Sequence, residues 1–126
     1  HHGGAERALA VRPCPGLAEA TLFATAPEMF RGPDAARFAR LSGAARLTRY
    51  GIDCYAYALL AMGQIDLVVE AGLAAYDIAA PAALVHAAGG IVTDWDGGDA
   101  RWGGRVVAAG DRRLHAEVLD LLARAA

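Results

Sequence analysis

The chain has 126 residues and a mass of 13.1 kDa, is 56% hydrophobic and 21% charged, and carries a formal net charge of −2. That is one domain with enough apolar mass for a core, which excludes a disordered or collagen-like chain. Charges and glycines interrupt every apolar stretch well short of the roughly 20 residues of a helical bilayer span, and the near-neutral balance excludes a broad electrostatic footprint for nucleic acid. Neither membrane nor nucleic acid is expected as a partner.

All twelve basic residues are arginine, which with the alanine load reflects GC-rich coding more than function. Cys14 and Cys54 read as reduced thiols of a cytoplasmic protein, because nothing else resembles a secreted, disulfide-stapled scaffold. No signal peptide is expected, since no charged segment followed by an apolar stretch opens the chain. His1 and His2 read as a tag remnant or an ordinary loop.

The first sixteen residues, with Pro13, Pro15 and Gly16, predict a loop with one short edge strand around Ala8 to Arg12. Thr21 to Thr25 predicts a strand. After a turn at Arg31 to Pro33, Asp34 is placed to cap a helix running to about Leu41 and ended by Ser42-Gly43. Ala45 to Arg49 predicts a second strand. Asp53 to Met62 has helical spacing, with Gly63 as its stop, and Ile65 to Glu70 is a continuous β-rich run of the kind that forms a buried strand.

Asp77 is placed to cap a helix from Ile78 to Ala88 that closes at Gly89-Gly90. Ile91 to Trp95 predicts a strand, Asp96 to Gly104 a glycine-rich hairpin turn, and Arg105 to Ala109 another strand. Asp111 caps a last helix in which Leu114, Val118, Leu121 and Leu122 share a face. Strands alternating with helices imply a layered α/β domain.

That order carries a functional consequence. If the helix from Asp53 runs antiparallel to the strand ending at Glu70, its start lies at that strand's carboxyl end, and the helix of Asp77 starts there too. Arg49, Asp53, Glu70 and Asp77 are therefore expected to converge at the carboxyl edge, where open α/β sheets bind ligands. Three carboxylates with an arginine suit a cation and a polar substrate.

Each acid also has a plainer role: Asp77 and Asp53 as helix caps, Glu70 as a solvated strand end, Arg49 as a surface arginine. Pro81 removes the N–H that would bond the Asp77 carbonyl, freeing that oxygen for another partner. The run Thr93 to Asp99 superficially suggests a calcium loop, but Asp99 stands at the glycine position and Arg105 at that of the bidentate acid. His86 and His115, each alone on a helix, read as structural.

The segment Tyr76-Asp77-Ile78-Ala79-Ala80-Pro81 through Ala88-Gly89-Gly90 resembles the second signature of the inositol monophosphatase superfamily. Arg49-Tyr50-Gly51-Ile52-Asp53-Cys54-Tyr55, Asp66-Leu67-Val68-Val69-Glu70-Ala71-Gly72-Leu73, Gly90-Ile91-Val92-Thr93 with Trp95-Asp96-Gly97-Gly98, and Val107-Ala108-Ala109-Gly110-Asp111 are similar to its bacterial histidinol-phosphate phosphatase branch. Ile52 stands where that branch typically carries a second glycine.

The resemblance implies the layered α/β/α C-terminal subdomain of an inositol monophosphatase-like sugar phosphatase. It also implies a Mg²⁺-dependent phosphomonoesterase acting on L-histidinol phosphate in histidine biosynthesis, or on inositol or related sugar phosphates. Asp77 would ligate the metal, also near the leaving oxygen. Arg49, Gly51, Asp53 and Glu70 would shape the pocket for the alcohol portion.

The family's upstream Asp-Pro-(Ile/Leu)-Asp-Gly-Thr segment and Glu-containing metal motif do not occur in these residues. The chain is therefore expected to be the C-terminal half of a longer enzyme or a truncated gene product, inactive alone, self-associating through the face its other half covers, and homodimeric at full length. The competing reading is a non-catalytic α/β module that binds a small polyol or cation.

Overall fold

The computed structural model describes residues 9–124, so His1, His2 and Ala8 lie outside the described residues. The elements in chain order are β1 (Thr21–Ala24), α1 (Pro33–Ala44), β2 (Leu47–Tyr50), α2 (Tyr55–Ala61), β3 (Leu67–Leu73), α3 (Ala75–Ala87), β4 (Ile91–Thr93), β5 (Gly104–Ala109) and α4 (Arg112–Ala123), with single 3₁₀ turns at Leu17–Glu19 and Pro27–Met29. The strands form one mixed sheet in the order β2-β1-β3-β5-β4. β1 pairs parallel with β2 and β3, while β5 pairs antiparallel with β3 and β4.

Alternation along the strands sorts the core onto two faces. Leu67, Val69, Val107 and Ala109 pack with Phe38 and Leu41 of α1 and with Leu114, Val118 and Leu122 of α4. Val68, Val106 and Ala108 pack with Tyr57 and Leu60 of α2 and Ile78 and Val85 of α3. Helices thus cover both faces of the sheet, giving the expected α/β/α layering. Glu70 shares the parity of Val68 and so faces α2.

Several boundaries differ from the expectations, each for a local reason. Residues 9–12 form no strand: the Val11 N–H donates to the Ala88 carbonyl at 3.1 Å and the Arg12 side chain is drawn to Asp66. Gly32, not Asp34, caps α1, with Pro33 in the first turn, and the helix continues through Ser42 and Gly43 to Ala44. Asp53 precedes α2 instead of starting it, because its left-handed φ of 45° is incompatible with a right-handed helix. β4 stops at Thr93, where the Asp94 carboxylate accepts the N–H groups of Asp96 and Gly98, both at 2.8 Å, and turns the chain. Asp111 does cap α4, accepting from the Arg113 N–H at 2.8 Å.

Candidate active site

A cavity of about 390 Å³ opens at the carboxyl end of β3, lined by Thr25, Met29, Asp53, Cys54, Tyr57, Glu70, Leu73 and Asp77. Three of the four side chains expected to converge there do so. Arg49 does not line it: it lies on the edge strand β2, in register with Phe23 of β1, and its side chain is exposed. β1 stands between β2 and β3, a lateral order that element succession alone does not specify.

Asp53 reaches the cavity from an unusual backbone. Gly51, Ile52 and Asp53 have φ of 97°, 56° and 45°. The Gly51 N–H anchors the turn by donating to the Ala24 and Thr25 carbonyls, at 3.2 and 2.9 Å. Glycine enters this region freely and aspartate tolerates it, whereas the β-branched Ile52 is strained there. Gly51 itself is not among the cavity's lining residues, so its part is to turn the chain toward Asp53.

Glu70 is not a solvated strand end. β3 runs on to Leu73, and Glu70 is 3% exposed. Its Oε1 accepts from the Tyr57 hydroxyl at 2.7 Å, while Oε2 accepts from the Thr25 N–H at 3.1 Å and from the Thr25 hydroxyl. A buried carboxylate persists when donors replace its water, and three do so here. Burial, and then the neighbouring Glu70 charge, push the Tyr57 phenol far up, so its hydroxyl stays protonated and donates.

Asp77 is the third residue of α3 and Ala74 is the N-cap, so the cap lies three residues before the expected one. Its Oδ2 accepts the Ala74 N–H at 2.9 Å, satisfying a donor at the helix start and holding the exposed side chain at the cavity mouth. Among the described residues no group of three or more His, Cys, Asp or Glu is arranged to hold a metal ion. The described residues therefore do not complete a magnesium site, for Asp77 has one oxygen engaged by Ala74 and Glu70 has both engaged by Thr25 and Tyr57, which falls short of an octahedral ligand set.

The chain-order reading missed Thr25, Tyr57, Met29, Cys54 and Leu73. Tyr57 falls inside the helical spacing of Asp53 to Met62, and a hydroxyl on a core-facing ring beside a strand that carries an acid is the signal that points to it.

The profile of the inositol monophosphatase family matches residues 8–125. A chloroplastic bifunctional phosphatase of Arabidopsis thaliana is 39% identical over 123 residues, covering 90% of this chain and 36% of that protein. A histidinol-phosphatase of Streptomyces coelicolor is 40% identical over 90 residues, covering 66% and 33%. The solved inositol monophosphatase of Zymomonas mobilis superposes with a TM-score of 0.86 at 40% identity, over 90% of this chain and 46% of that one. The chain thus spans about a third of these curated relatives and under half of the solved structure. With three layers, a sheet-edge cavity and a match along nearly its whole described length, the chain belongs to the inositol monophosphatase family.

Proposed function

We propose that this chain is the C-terminal α/β subdomain of a phosphomonoesterase, that it supplies the pocket for the substrate's alcohol portion, and that Asp77 contributes one carboxylate to a Mg²⁺ site completed by residues outside those described. The observation carrying this reading is the convergence of Asp53, Glu70 and Asp77 on one cavity at the sheet's carboxyl edge. Bound magnesium would supply an activated water and stabilisation of the leaving oxygen. The chain's own residues bind and orient: Glu70 accepts from the alcohol portion, Asp53 adds a second carboxylate, and Asp77 sits at the mouth.

L-Histidinol phosphate is the substrate favoured here, which would place the enzyme in histidine biosynthesis. The cavity lining carries three carboxylates and neither arginine nor histidine, which suits an ammonium or imidazolium group. Inositol phosphates are the second reading, supported by the 40% identity to the Zymomonas enzyme and by the capacity of the same acids to accept hydroxyls. A cytoplasmic homodimer is the assembly proposed for the full-length protein.

The test is phosphate release by the full-length gene product with Mg²⁺, from L-histidinol phosphate and from myo-inositol 1-phosphate. A kcat/KM at least tenfold higher for L-histidinol phosphate supports the favoured reading, and the reverse order supports inositol phosphates. Release from neither returns the chain to a non-catalytic binding module.

A further inference from the structure

The phenol oxygen of Tyr57 has no packing reason to exist. Tyr57 is 1% exposed, and its ring belongs to the core between α2, α3 and the sheet, where phenylalanine would fill the same space. A hydroxyl in that position is costly unless it is bonded, and its bond goes to Glu70 Oε1 at 2.7 Å. Thr25 closes on the other oxygen with both its N–H and its hydroxyl. The acid is thus held from two sides by residues 13 and 45 positions away.

A carboxylate has about four acceptor positions. Three are occupied by protein donors, which leaves about one to meet a ligand in the cavity. Because a backbone N–H only donates, Oε2 must accept, and the protonated phenol fixes the other oxygen likewise. Glu70 therefore presents a carboxylate in one orientation with one open acceptor position, and it cannot turn to follow a misplaced group.

We propose that Tyr57 is a positioning residue that acts through Glu70, and that the Thr25–Glu70–Tyr57 clamp holds the acid's open acceptor position toward the alcohol portion of the substrate. The ligand group fitting it presents a single donor, an ammonium or one hydroxyl, at the open position. This rests on the phosphatase reading above and adds the device that orients its binding acid.

The experiment is a double-mutant cycle of Tyr57→Phe and Glu70→Gln in the full-length protein with Mg²⁺, using L-histidinol phosphate and myo-inositol 1-phosphate. Removing a hydrogen bond to a charged group predicts that Tyr57→Phe raises KM roughly tenfold with kcat changed less than about threefold, the pattern of lost uniform binding. The double variant should be no worse than Glu70→Gln alone, because residues acting through one another are not additive. Additive losses, or an unchanged KM in Tyr57→Phe, overturn the proposal.

Incorporating 3-fluorotyrosine at position 57 keeps ring and donor and guards against misfolding of the phenylalanine variant. It should leave KM at or below the parent value, and a rise overturns the clamp. If the unmutated protein hydrolyses neither ester, the phosphatase reading falls on its own. The clamp is then read by calorimetric binding of L-histidinol and myo-inositol to the same proteins, where equal affinities with and without the Tyr57 hydroxyl overturn it.

Discussion

Arg12 grips Asp66 through two parallel hydrogen bonds, Nε to Oδ1 at 2.8 Å and Nη2 to Oδ2 at 2.9 Å, across 54 positions of sequence. Oδ2 also accepts the Thr21 N–H at 2.8 Å. Asp66 and Glu70 are thus two buried acids flanking one stretch of strand with opposite employment. Asp66, before β3, ties the N-terminal segment and β1 to the sheet, while Glu70 faces the cavity. Asp66 is 2% exposed, so deleting its cation leaves a buried charge with too few partners. Arg12→Ala should cost about 2 kcal/mol in urea denaturation, less than a fully buried pair because the arginine side chain is 39% exposed. A loss below about 1 kcal/mol would show that solvent reaching the partly exposed guanidinium already screens the pair.

The left-handed turn before α2 predicts a stabilising change at the site's edge. Ile52 has φ of 56° and is 44% exposed, so its side chain contributes little burial to offset the strain. Ile52→Gly should raise stability by roughly 0.5–1 kcal/mol, the left-handed penalty less the entropy glycine loses on folding. Thermal melting checks the sign, and a lower melting temperature would locate a compensating contact at Ile52.

At the mouth of the cavity, Asp77→Asn separates the structural bond from the charge. An asparagine oxygen can still accept the Ala74 N–H, so the melting temperature should stay within a few degrees. Phosphate release by the full-length protein should fall at least about a hundredfold, as expected when several kcal/mol of metal-borne stabilisation are lost. Retained release would remove Asp77 from the proposed metal site.

His115 gives the fold a pH dependence. The ring is buried, its Nε2 lies 2.8 Å from Thr93 Oγ1, and burial, followed by the nearby Arg112, lowers its pKa below the ordinary 6.5. Above that value both folded and unfolded chains carry neutral histidine, and the group contributes nothing to the slope. Below it the unfolded chain binds a proton that the folded chain refuses, so stability falls as pH falls, down to the folded-state pKa. Chemical denaturation between pH 7 and pH 5 should show that loss, and His115→Gln should flatten it.

Asp111 joins the two ends of the domain. Its carboxylate accepts the N–H of Arg113 in α4 and, at 2.9 Å, that of Cys14 near the N-terminus. The Arg113 side chain, then the Cys14 N–H, hold its carboxyl well below the usual range. Asp111→Ala should cost about 1–2 kcal/mol by the loss of an N-cap. The acid's contribution is present above the unfolded value of 3.8 and is lost as pH falls below it. A variant that melts with the parent at pH 7 would mean the cap is dispensable.

Periodicity and turn chemistry in the sequence determined the α/β order, the caps and stops of α4 and α3 to within a few residues, and the meeting of Asp53, Glu70 and Asp77. That meeting follows from chain direction alone, because a helix antiparallel to a strand must begin where the strand ends. The family signatures at Tyr76-Asp77 and Ala88-Gly89-Gly90 were likewise legible, since local motifs need no knowledge of packing. What only the tertiary structure decided was everything that depends on lateral strand order. β1 lies between β2 and β3, which carries Arg49 away from the cavity and brings Thr25 to Glu70. The same order lets β3 run past Glu70, burying an acid that chain order left in solvent, and the depth of α2 against the sheet turns a core tyrosine into its donor. Local sequence encodes direction and period; which strands are neighbours is settled by burying both sheet faces at once, a property of the whole chain.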